Sequence, residues 1–332
     1  MNRSRVEALL SEFKSKRILV IGDLILDQFI WGKVSRISPE APVPVVEVSS
    51  ESFFPGGAAN VARNLCAFAG SVSVMGVTGQ CSHAQHLRNL LEQDGIRTDA
   101  VQSADCYQTI VKSRIIARQQ HVVRFDRERP TPLREEHAQI ALQQLTQMLP
   151  HLDAVIVEDY GKGLLSQSFA SALCTLVHDA GKVLAVDPNP KNPLHWEHLS
   201  VIKPNRSEAF TIAGRPWSEP LDPPAADTAL LEVGRELHSR WNADNLLITL
   251  GEHGMLLFPK DAAPYHSPTK AREVFDVSGA GDTVIALFTL GLCSGTSARE
   301  AAEIANHASG VVVGKLGTAT VSPEELLASF AD

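Results

Sequence analysis

The stretch Asp276-Val277-Ser278-Gly279-Ala280-Gly281-Asp282-Thr283 places small residues directly before the apolar run 284–292. The run contains no charge and no proline, so it predicts a buried helix with the glycines at its N-terminus. Unpaired backbone N–H groups and the positive end of the helix dipole meet there, and no bulky side chain keeps an anion from the backbone. The segment therefore predicts a phosphate site at a helix start.

Asp282 adds a carboxylate to this site, where it would repel phosphate unless a cation or a reacting hydroxyl lay between them. Phosphoryl transfer needs both parts: donors for the developing negative charge and a base for the attacking hydroxyl. We therefore expect Asp282 to be the catalytic base and the amides of Gly279, Ala280 and Gly281 to form an anion hole. A glycine-rich helix start with Asp282 as a first-turn acid explains the segment equally well when it is considered alone.

The composition disfavours several classes of protein. The chain has 332 residues and a net charge of −8, which argues against nucleic-acid binding as its main function. No apolar run approaches the roughly 20 residues of a membrane span, and residues 1–16 lack the apolar core of a secretion signal. The five cysteines are scattered and odd in number, which suggests neither disulfides nor a metal site. We expect a cytoplasmic protein.

Short apolar runs alternate with helical patterns along most of the chain, which favours an α/β fold. The predicted strands of the alternating part lie at 17–22, 71–77, 154–157, 182–186, 200–202 and 245–249. Such alternation predicts a mainly parallel sheet with helices on both faces, that is, a three-layer α/β/α sandwich. Since no internal repeat or linker is visible, we expect residues 1–332 to form a single domain.

Two segments break the alternation and predict a small β-sheet lid. Residues 28–48 combine aromatic residues and valines with three prolines, and residues 107–126 are rich in β-branched residues. We expect antiparallel strands from both segments over the carboxyl edge of the main sheet, where open α/β sheets bind ligands. Exposed apolar lid surface such as Trp31 could pair with a second copy, so we expect a homodimer.

Polar residues follow the first strand and open the next helix. Asp23 ends the first strand, where its carboxylate could accept hydrogen bonds from sugar hydroxyls or cap the loop. Gly56 and Gly57 let the backbone approach a ligand, and Asn60 offers both a donor and an acceptor. Together they predict a ligand-binding edge.

Oxygen ligands follow later strands. Asn205 and Glu208 are three residues apart and share one face of a helical turn, so their oxygens suit Mg²⁺. A helix capping box needs the same two residues at the same spacing. Asp187 follows the strand at 182–186, from which it could help to organise the metal, with water between ion and protein.

These motifs resemble those of the ribokinase-like, or PfkB, carbohydrate kinases, and the resemblance covers essentially the whole chain. The matching motifs are DVSGAGD (276–282), PGGAAN (55–60) and NRSE (205–208). The resemblance implies a ribokinase-like fold with Asp282 as base, ATP as co-substrate and Mg²⁺ positioned by the Asn-x-x-Glu motif, in which Asn205 also contacts the nucleotide.

The same resemblance extends to the nucleotide site. It implies that Thr249, Gly251 and Gly254 lie along the ATP phosphates, although the loop could equally be an ordinary hairpin turn. It further implies that Asn306, on a helix over 297–313, walls the adenine. Asp276 and Ser278 match positions near a monovalent cation in some relatives, so K⁺ is a second candidate cofactor.

Within this family, three stretches resemble the heptose 7-phosphate kinases of lipopolysaccharide core synthesis. They are residues 18–48, which contain ISPEAPVPV, together with 55–65 and 311–322. The resemblance implies transfer of the ATP γ-phosphate to O1 of D-glycero-β-D-manno-heptose 7-phosphate, giving the 1,7-bisphosphate. Many relatives carry a fused C-terminal nucleotidyltransferase, whereas this sequence ends at Asp332, soon after the kinase motifs, so a kinase-only form is expected. A PfkB kinase for another sugar or sugar phosphate, and a non-catalytic sugar-binding regulator, remain alternatives.

A sugar phosphate needs a cationic clamp far from the reacting O1. The candidates are Arg36 and Arg124 in the lid segments and Lys162 after a predicted strand. Arginine can grip a phosphate with two hydrogen bonds, and lysine acts as a point charge. Each of the three could instead be an ordinary solvated residue.

Overall fold

Apolar runs such as RILVIG lie side by side as strands, because a strand that is buried on both faces needs helices on both sides. The computed structural model describes residues 1–117, 120–271, 273–315 and 317–330. In these residues the strands are β1 (Arg17–Gly22), β2 (Leu24–Ile37), β3 (Pro44–Gly57), β4 (Ser71–Thr78), β5 (Arg97–Ser103), β6 (Ile110–Ala117), β7 (Gln120–Arg127), β8 (Ala154–Glu158), β9 (Val183–Asp187), β10 (Val201–Ile202), β11 (Asn245–Thr249), β12 (Met255–Pro259) and β13 (Tyr265–Ser267).

Helices alternate with most of these strands. They are α1 (Arg3–Phe13), α2 (Ala58–Cys66), α3 (Ser82–Gln93), α4 (Glu135–Met148), α5 (Gln167–Asp179), α6 (Arg206–Ala213), α7 (Thr228–Trp241), α8 (Ala280–Cys293), α9 (Ala298–Val312) and α10 (Pro323–Ser329). Short 3₁₀ turns lie at Leu149–His151, Pro224–Ala226 and Gly251–His253.

The main sheet has the strand order β13-β12-β11-β10-β9-β8-β1-β4-β5. All neighbouring strands from β11 along this order to β5 pair in parallel. At the other end, β12 pairs antiparallel with β11 and β13 pairs antiparallel with β12. Alternate residues of β1 enter two separate cores: Ile18 and Val20 pack with α2 and α8, whereas Leu19 and Ile21 pack with α4 and α5. The predicted three-layer α/β/α sandwich is confirmed.

A second sheet, with the order β3-β2-β6-β7, forms the lid. Only Asp23 separates β2 from β1, so the lid grows out of the carboxyl edge of the main sheet. The two hairpins are antiparallel as expected, but β2 and β6 pair in parallel where they meet. The parallel pairing arises because β2 and β6 each leave the same edge of the main sheet and run away from it side by side.

The boundaries of the first lid segment also differ from the expectation. Strand β3 continues to Gly57, where Gly56 and Gly57 pair with Ile25 and Leu24, and α2 begins only at Ala58. The two glycines therefore end strand β3, whereas the sequence pattern predicted that they open the helix that follows.

Among the described residues, no helix combines the length and apolarity that a membrane crossing would require.

Candidate active site

The start of α8 is built around two glycines and Asp282. Gly279 caps the helix with φ +80°, and a Cβ on it would lie 2.8 Å from the Nδ2 atom of Asn60, so both conformation and space require glycine. Asp282 is buried in the first turn. Its Oδ2 accepts from Asn60 Nδ2 at 2.6 Å, and its Oδ1 accepts from the Tyr160 hydroxyl at 3.2 Å.

Most backbone amides at the start of α8 are unpaired. The amide of Ala280 donates to Val277 O at 3.2 Å and closes a turn. Among the described residues, the amides of Gly279, Gly281 and Asp282 have no hydrogen-bond acceptor, so they are available to an anion at the positive end of the helix. A Cβ on Gly281 would lie 3.4 Å from the Nζ atom of Lys203, which places a cation beside the anion hole.

The environment of Asp282 sets its protonation. Burial raises the pKa of its carboxyl, while the hydrogen bonds from Asn60 and Tyr160 and the charge of Lys203 lower it. A carboxylate whose pKa is raised by desolvation is a stronger base than an exposed aspartate, and the donors that bind it keep it oriented.

Two further acids and Lys203 lie at the ends of neighbouring strands. Glu158 and Asp187 are register partners at the ends of β8 and β9, and Lys203 Nζ lies 2.7 Å from Asp187 Oδ2. Burial raises the pKa of Asp187 to about 7 and that of Glu158 well above its usual range. The Oε1 atom of Glu158 is buried without a hydrogen-bond partner in the described part of the chain. Sequence reasoning missed Glu158 and Lys203, although both directly follow predicted strands.

Asn205 and Glu208 form a capping box at the start of α6. The Asn205 Oδ1 accepts from the Glu208 amide at 2.9 Å, and the Glu208 Oε2 accepts from the Asn205 amide at 2.8 Å. The capping alternative is thus realised, and Glu208 Oε1 is the oxygen that the box leaves over. In the residues that the structure describes, no group of three acids, histidines or cysteines is arranged to hold a metal by itself. The oxygens of Asn205, Glu208 and Asp187 are of the kind that would suit a hydrated Mg²⁺ bound together with phosphates.

A cavity of 640 Å³, here called the α8 cavity, opens beside the anion hole. Its lining includes the expected nucleotide residues and part of the anion hole, namely Asn205, Thr249, Gly251, Gly254, Asn306, Ala280 and Gly281. Apolar side chains such as Val277 and Val313 line it as well. An apolar cavity that ends at unpaired amides suits a flat ring with an attached phosphate chain.

Two residues of the α8 cavity also have structural roles. Gly254 has φ +82°, and a Cβ on it would lie 2.1 Å from Ser267 O. The Nδ2 atom of Asn306 donates to the Ser267 hydroxyl at 2.8 Å and to Pro268 O at 2.7 Å, so it ties α9 to the end of β13. These bonds fix the wall of the cavity.

On the lid side, Asp23 is linked to Asp282 by Tyr160, which lies in the loop after β8 and donates hydrogen bonds to both carboxylates. Its Oδ2 accepts from the amides of Tyr160 and Lys162, each at 3.1 Å, and burial raises the pKa of its carboxyl. The loop-capping role therefore holds for Oδ2. In the described residues, the buried Oδ1 of Asn60 has no hydrogen-bond partner, so it is an acceptor that a bound hydroxyl could satisfy.

The glycine at 56 makes room for an acid that the sequence did not single out. A Cβ on Gly56 would lie 2.1 Å from the Oδ2 atom of Asp27, which is buried on β2 and bonded to Arg114. Gly57, with φ +59°, would crowd the Asp23 carbonyl at 2.6 Å. Both glycines thus shape the lid side by letting β3 pack closely on β2.

Four basic side chains gather on the lid side and are here called the basic cluster: Lys112, Arg114, Arg124 and Lys162. Arg114 and Arg124 are direct cross-strand partners on β6 and β7. Arg124 grips Asp126 at 2.9 and 2.7 Å, and Lys162 Nζ lies 2.7 Å from Glu128. Burial lowers the pKa of Lys112, whose neighbours include Arg124 and Lys162.

Two of the three expected clamp residues, Arg124 and Lys162, belong to the basic cluster, and the third, Arg36, does not. Arg36 is exposed near the tip of the β2–β3 hairpin, opposite Val45. It lies nine residues beyond Asp27, or about 30 Å along the strand. Lys112 and Arg114 were missed, although their period-two spacing in β6 places them on one face.

The chain matches known proteins over nearly its whole length. Residues 15–325 match the model of the pfkB family of carbohydrate kinases. The "Bifunctional protein HldE" of Desulfatibacillum aliphaticivorans is 41% identical over 322 residues, which is 97% of this chain and 64% of the relative. The protein of the same name from Citrifermentans bemidjiense is 40% identical over 328 residues, 99% of this chain and 66% of the relative. The chain thus spans about two thirds of the length of these relatives.

Solved structures share the fold at low sequence identity. Arabidopsis thaliana ribokinase, complexed with ribose and ATP, superposes with a TM-score of 0.71 at 17% identity, covering 95% of this chain and 99% of that chain. Phosphofructokinase-2 from Escherichia coli, in complex with potassium, gives 0.75 at 17% identity, covering 95% and 98%. The expected ribokinase-like fold is confirmed. By its family match over nearly its whole length, the chain is a sugar kinase and belongs to the pfkB family of carbohydrate kinases.

Proposed function

We propose that this kinase transfers the γ-phosphoryl group of ATP to O1 of D-glycero-β-D-manno-heptose 7-phosphate, giving the 1,7-bisphosphate on the way to ADP-heptose. The observation that carries the proposal is the position of Asp282 between the anion hole and the lid-side basic cluster. Three cations of the cluster pair with acids, namely Arg114 with Asp27, Arg124 with Asp126 and Lys162 with Glu128. Among the described residues Lys112 has no ion-pair partner, so the cluster keeps a positive charge that suits a sugar that already carries a phosphate. The choice of this particular sugar rests on the resemblance to heptose 7-phosphate kinases.

Asp282 takes the proton of the anomeric hydroxyl in the proposed reaction. The hydroxyl oxygen then attacks the γ-phosphorus in line, and the bond from that phosphorus to the β,γ-bridging oxygen breaks. The amides of Gly279 and Gly281 and the ammonium of Lys203 face the charge that develops on the transferred group. Catalysis here consists of positioning and electrostatic stabilisation, which the buried start of α8 provides.

Mg²⁺ would be held through water near Asn205, Glu208 and Asp187, and when bound it would neutralise charge on the triphosphate. The Asp187–Lys203 pair keeps one acid at this edge charge-balanced, and Glu208 contributes one carboxylate oxygen that its capping box leaves over. Both features suit an ion that arrives with the nucleotide.

A K⁺ site is proposed near Asp276. Its Oδ1 accepts from the Ser278 amide at 2.9 Å and its Oδ2 from the Gly317 amide at 3.1 Å, so the carboxylate clamps the loop before the anion hole. Each oxygen keeps a lone pair for a cation. Comparing rates in potassium and sodium salts at equal ionic strength tests this cofactor.

A cytoplasmic homodimer is proposed through the lid. Large apolar side chains are exposed on this sheet: Trp31, Ile37, Val43, Val48 and Val123. Apolar groups concentrated on one small sheet mark a protein contact, and a second copy can bury the same patch twice.

The direct test is phosphate transfer from ATP to synthetic heptose 7-phosphate, with the product's anomeric centre read by NMR. We expect phosphate at O1 of the β anomer. Turnover of a different sugar phosphate, with none of the heptose, would replace the substrate and keep the kinase. Absence of turnover with every sugar in a panel would favour a non-catalytic sugar-binding regulator.

A further inference from the structure

Tyr160 contacts three parts of the site at once. Its hydroxyl donates to Asp282 Oδ1 at 3.2 Å, and its backbone N–H donates to Asp23 Oδ2 at 3.1 Å. The Nζ atom of Lys112 lies 5.3 Å from the centre of its ring. The side chain of Tyr160 therefore contacts the base and a cation of the lid, while its backbone binds the sugar-side carboxylate.

The phenol keeps its proton and donates a hydrogen bond to the carboxylate of Asp282. Burial raises the pKa of Tyr160 well above its usual range, and the nearby charge of Asp282 adds to this effect. A group that keeps its proton does not compete with Asp282 for the proton of the sugar hydroxyl. Its hydrogen bond instead holds the carboxylate.

We propose that Tyr160 is a positioning residue that fixes the carboxylate plane of Asp282 for the acceptor hydroxyl. Asn60 holds Oδ2 and Tyr160 holds Oδ1, so a rotation of the carboxylate would break at least one of the two hydrogen bonds. Each oxygen retains a second lone pair that can take a proton. This role rests on the proposed function, in which Asp282 is the base.

Other charged groups also influence the pKa of Asp282. They face Asp282 from separate elements and are Asp27 on β2, Glu158 at the end of β8, Asp187 at the end of β9 and Lys203 after β10. Removal of one phenolic oxygen leaves all four side chains in place, so a change in Asp282 can be assigned to the lost hydrogen bond.

The test compares Tyr160→Phe with a matched control, Tyr265→Phe. Tyr265 also donates to a carboxylate at 3.2 Å, that of Glu303, but lies outside the site. In Tyr160→Phe we expect kcat to fall about 10-fold to 100-fold, as for a hydrogen bond to a charged group, with KM for ATP unchanged. The acidic limb of the pH–rate profile should move to higher pH, because the carboxylate loses a stabilising donor. Tyr265→Phe should change neither quantity.

A second measurement needs no substrate. The carboxyl carbon of Asp282, assigned by the loss of its ¹³C NMR signal in Asp282→Asn, should titrate at higher pH in Tyr160→Phe than in the parent protein. An unshifted titration, or a kcat for Tyr160→Phe no lower than that for Tyr265→Phe, overturns the role of Tyr160. If the parent protein phosphorylates no sugar, the proposed function fails, and the NMR titration alone then decides the role of Tyr160.

Discussion

The side-chain amide of Asn60 donates to the carboxylate of Asp282 at 2.6 Å, although the two residues lie 222 positions apart. One turn further along α2, Asn64 Oδ1 accepts from the hydroxyl of Thr283, the residue after Asp282, at 2.7 Å. These two bonds lock α2, which carries the expected sugar motif, to α8, which carries the proposed base. In the proposed reaction the same pair of helices would therefore position the acceptor hydroxyl and the base.

Asp282→Asn should retain ATP binding and lose nearly all turnover. The amide can still accept from Tyr160 or donate to a neighbour, but it cannot take a proton, and loss of a general base typically costs about 10²–10⁴-fold in rate. Calorimetric titration with ATP and kcat on the same preparation check this prediction. A near-normal kcat in a folded Asp282→Asn protein would remove Asp282 from the role of base.

The rate should fall at low pH with a limb set by Asp282. The carboxylate must be ionised to act, and burial raises its pKa, so kcat/KM should decline as pH drops through a value above the ordinary one of about 3.9. Asn60→Ala removes a donor that lowers this pKa and should move the limb further up. A limb at the same pH in Asn60→Ala would assign the titration to another group.

Glu208→Gln should raise the Mg²⁺ concentration needed for half-maximal rate, because one carboxylate charge near the metal is lost. The substitution also weakens the capping box, which contributes about 1 kcal/mol in typical helices.

Glu300→Gln is the matched control, since Ser297 and Glu300 form the same kind of box at the start of α9. Thermal unfolding should report a similar loss for both variants, while the Mg²⁺ dependence should change for Glu208→Gln alone. Equal Mg²⁺ curves would leave Glu208 with only its capping role.

Arg124→Ala should selectively impair the phosphorylated sugar. Charged hydrogen bonds contribute about 1.5–3 kcal/mol each, so kcat/KM for heptose 7-phosphate should drop roughly tenfold or more, with ATP affinity little changed. The parent enzyme should use unphosphorylated heptose far less well than its 7-phosphate.

Arg97→Ala is the control for this experiment, because Arg97 pairs with Asp99 two residues on, as Arg124 pairs with Asp126, but on the far strand β5. Equal rates on heptose and its 7-phosphate would exclude the substrate. If Arg36→Ala or Lys162→Ala lowers kcat/KM for heptose 7-phosphate and Arg124→Ala does not, the phosphate clamp is assigned to that other residue and the proposed substrate stands.

Trp31→Glu should convert a dimer to monomers. Trp31 is 38% exposed on the lid, and a charge there would be buried without a partner at the contact. Light scattering after size exclusion gives the mass directly. A parent protein that is monomeric, or a variant that stays dimeric, would contradict a contact through the lid.

Much of the fold could be predicted because both faces of the sheet are helix-covered and leave continuous apolar runs such as that of β1. The start of α8 was also predictable, since Gly279 and Asp282 lie within four consecutive residues of the sequence. Lys203 and Tyr160 were not, because their roles depend on which strand ends are neighbours in space. The parallel pairing of β2 with β6 was missed for the same reason: neither strand carries a signal that names its partner.

A single residue, Asp23, connects the main sheet to the lid hairpin, and Gly57 closes the return path. Because β2 also pairs with β6, a tilt of the lid relative to the main sheet would change the backbone at these two positions together with the connections into β6 and out of β7. The carboxylate expected to recognise the sugar thus sits at one of the connections that a closing lid would bend. Substitutions at Asp23 should therefore alter KM and kcat together and should not separate them.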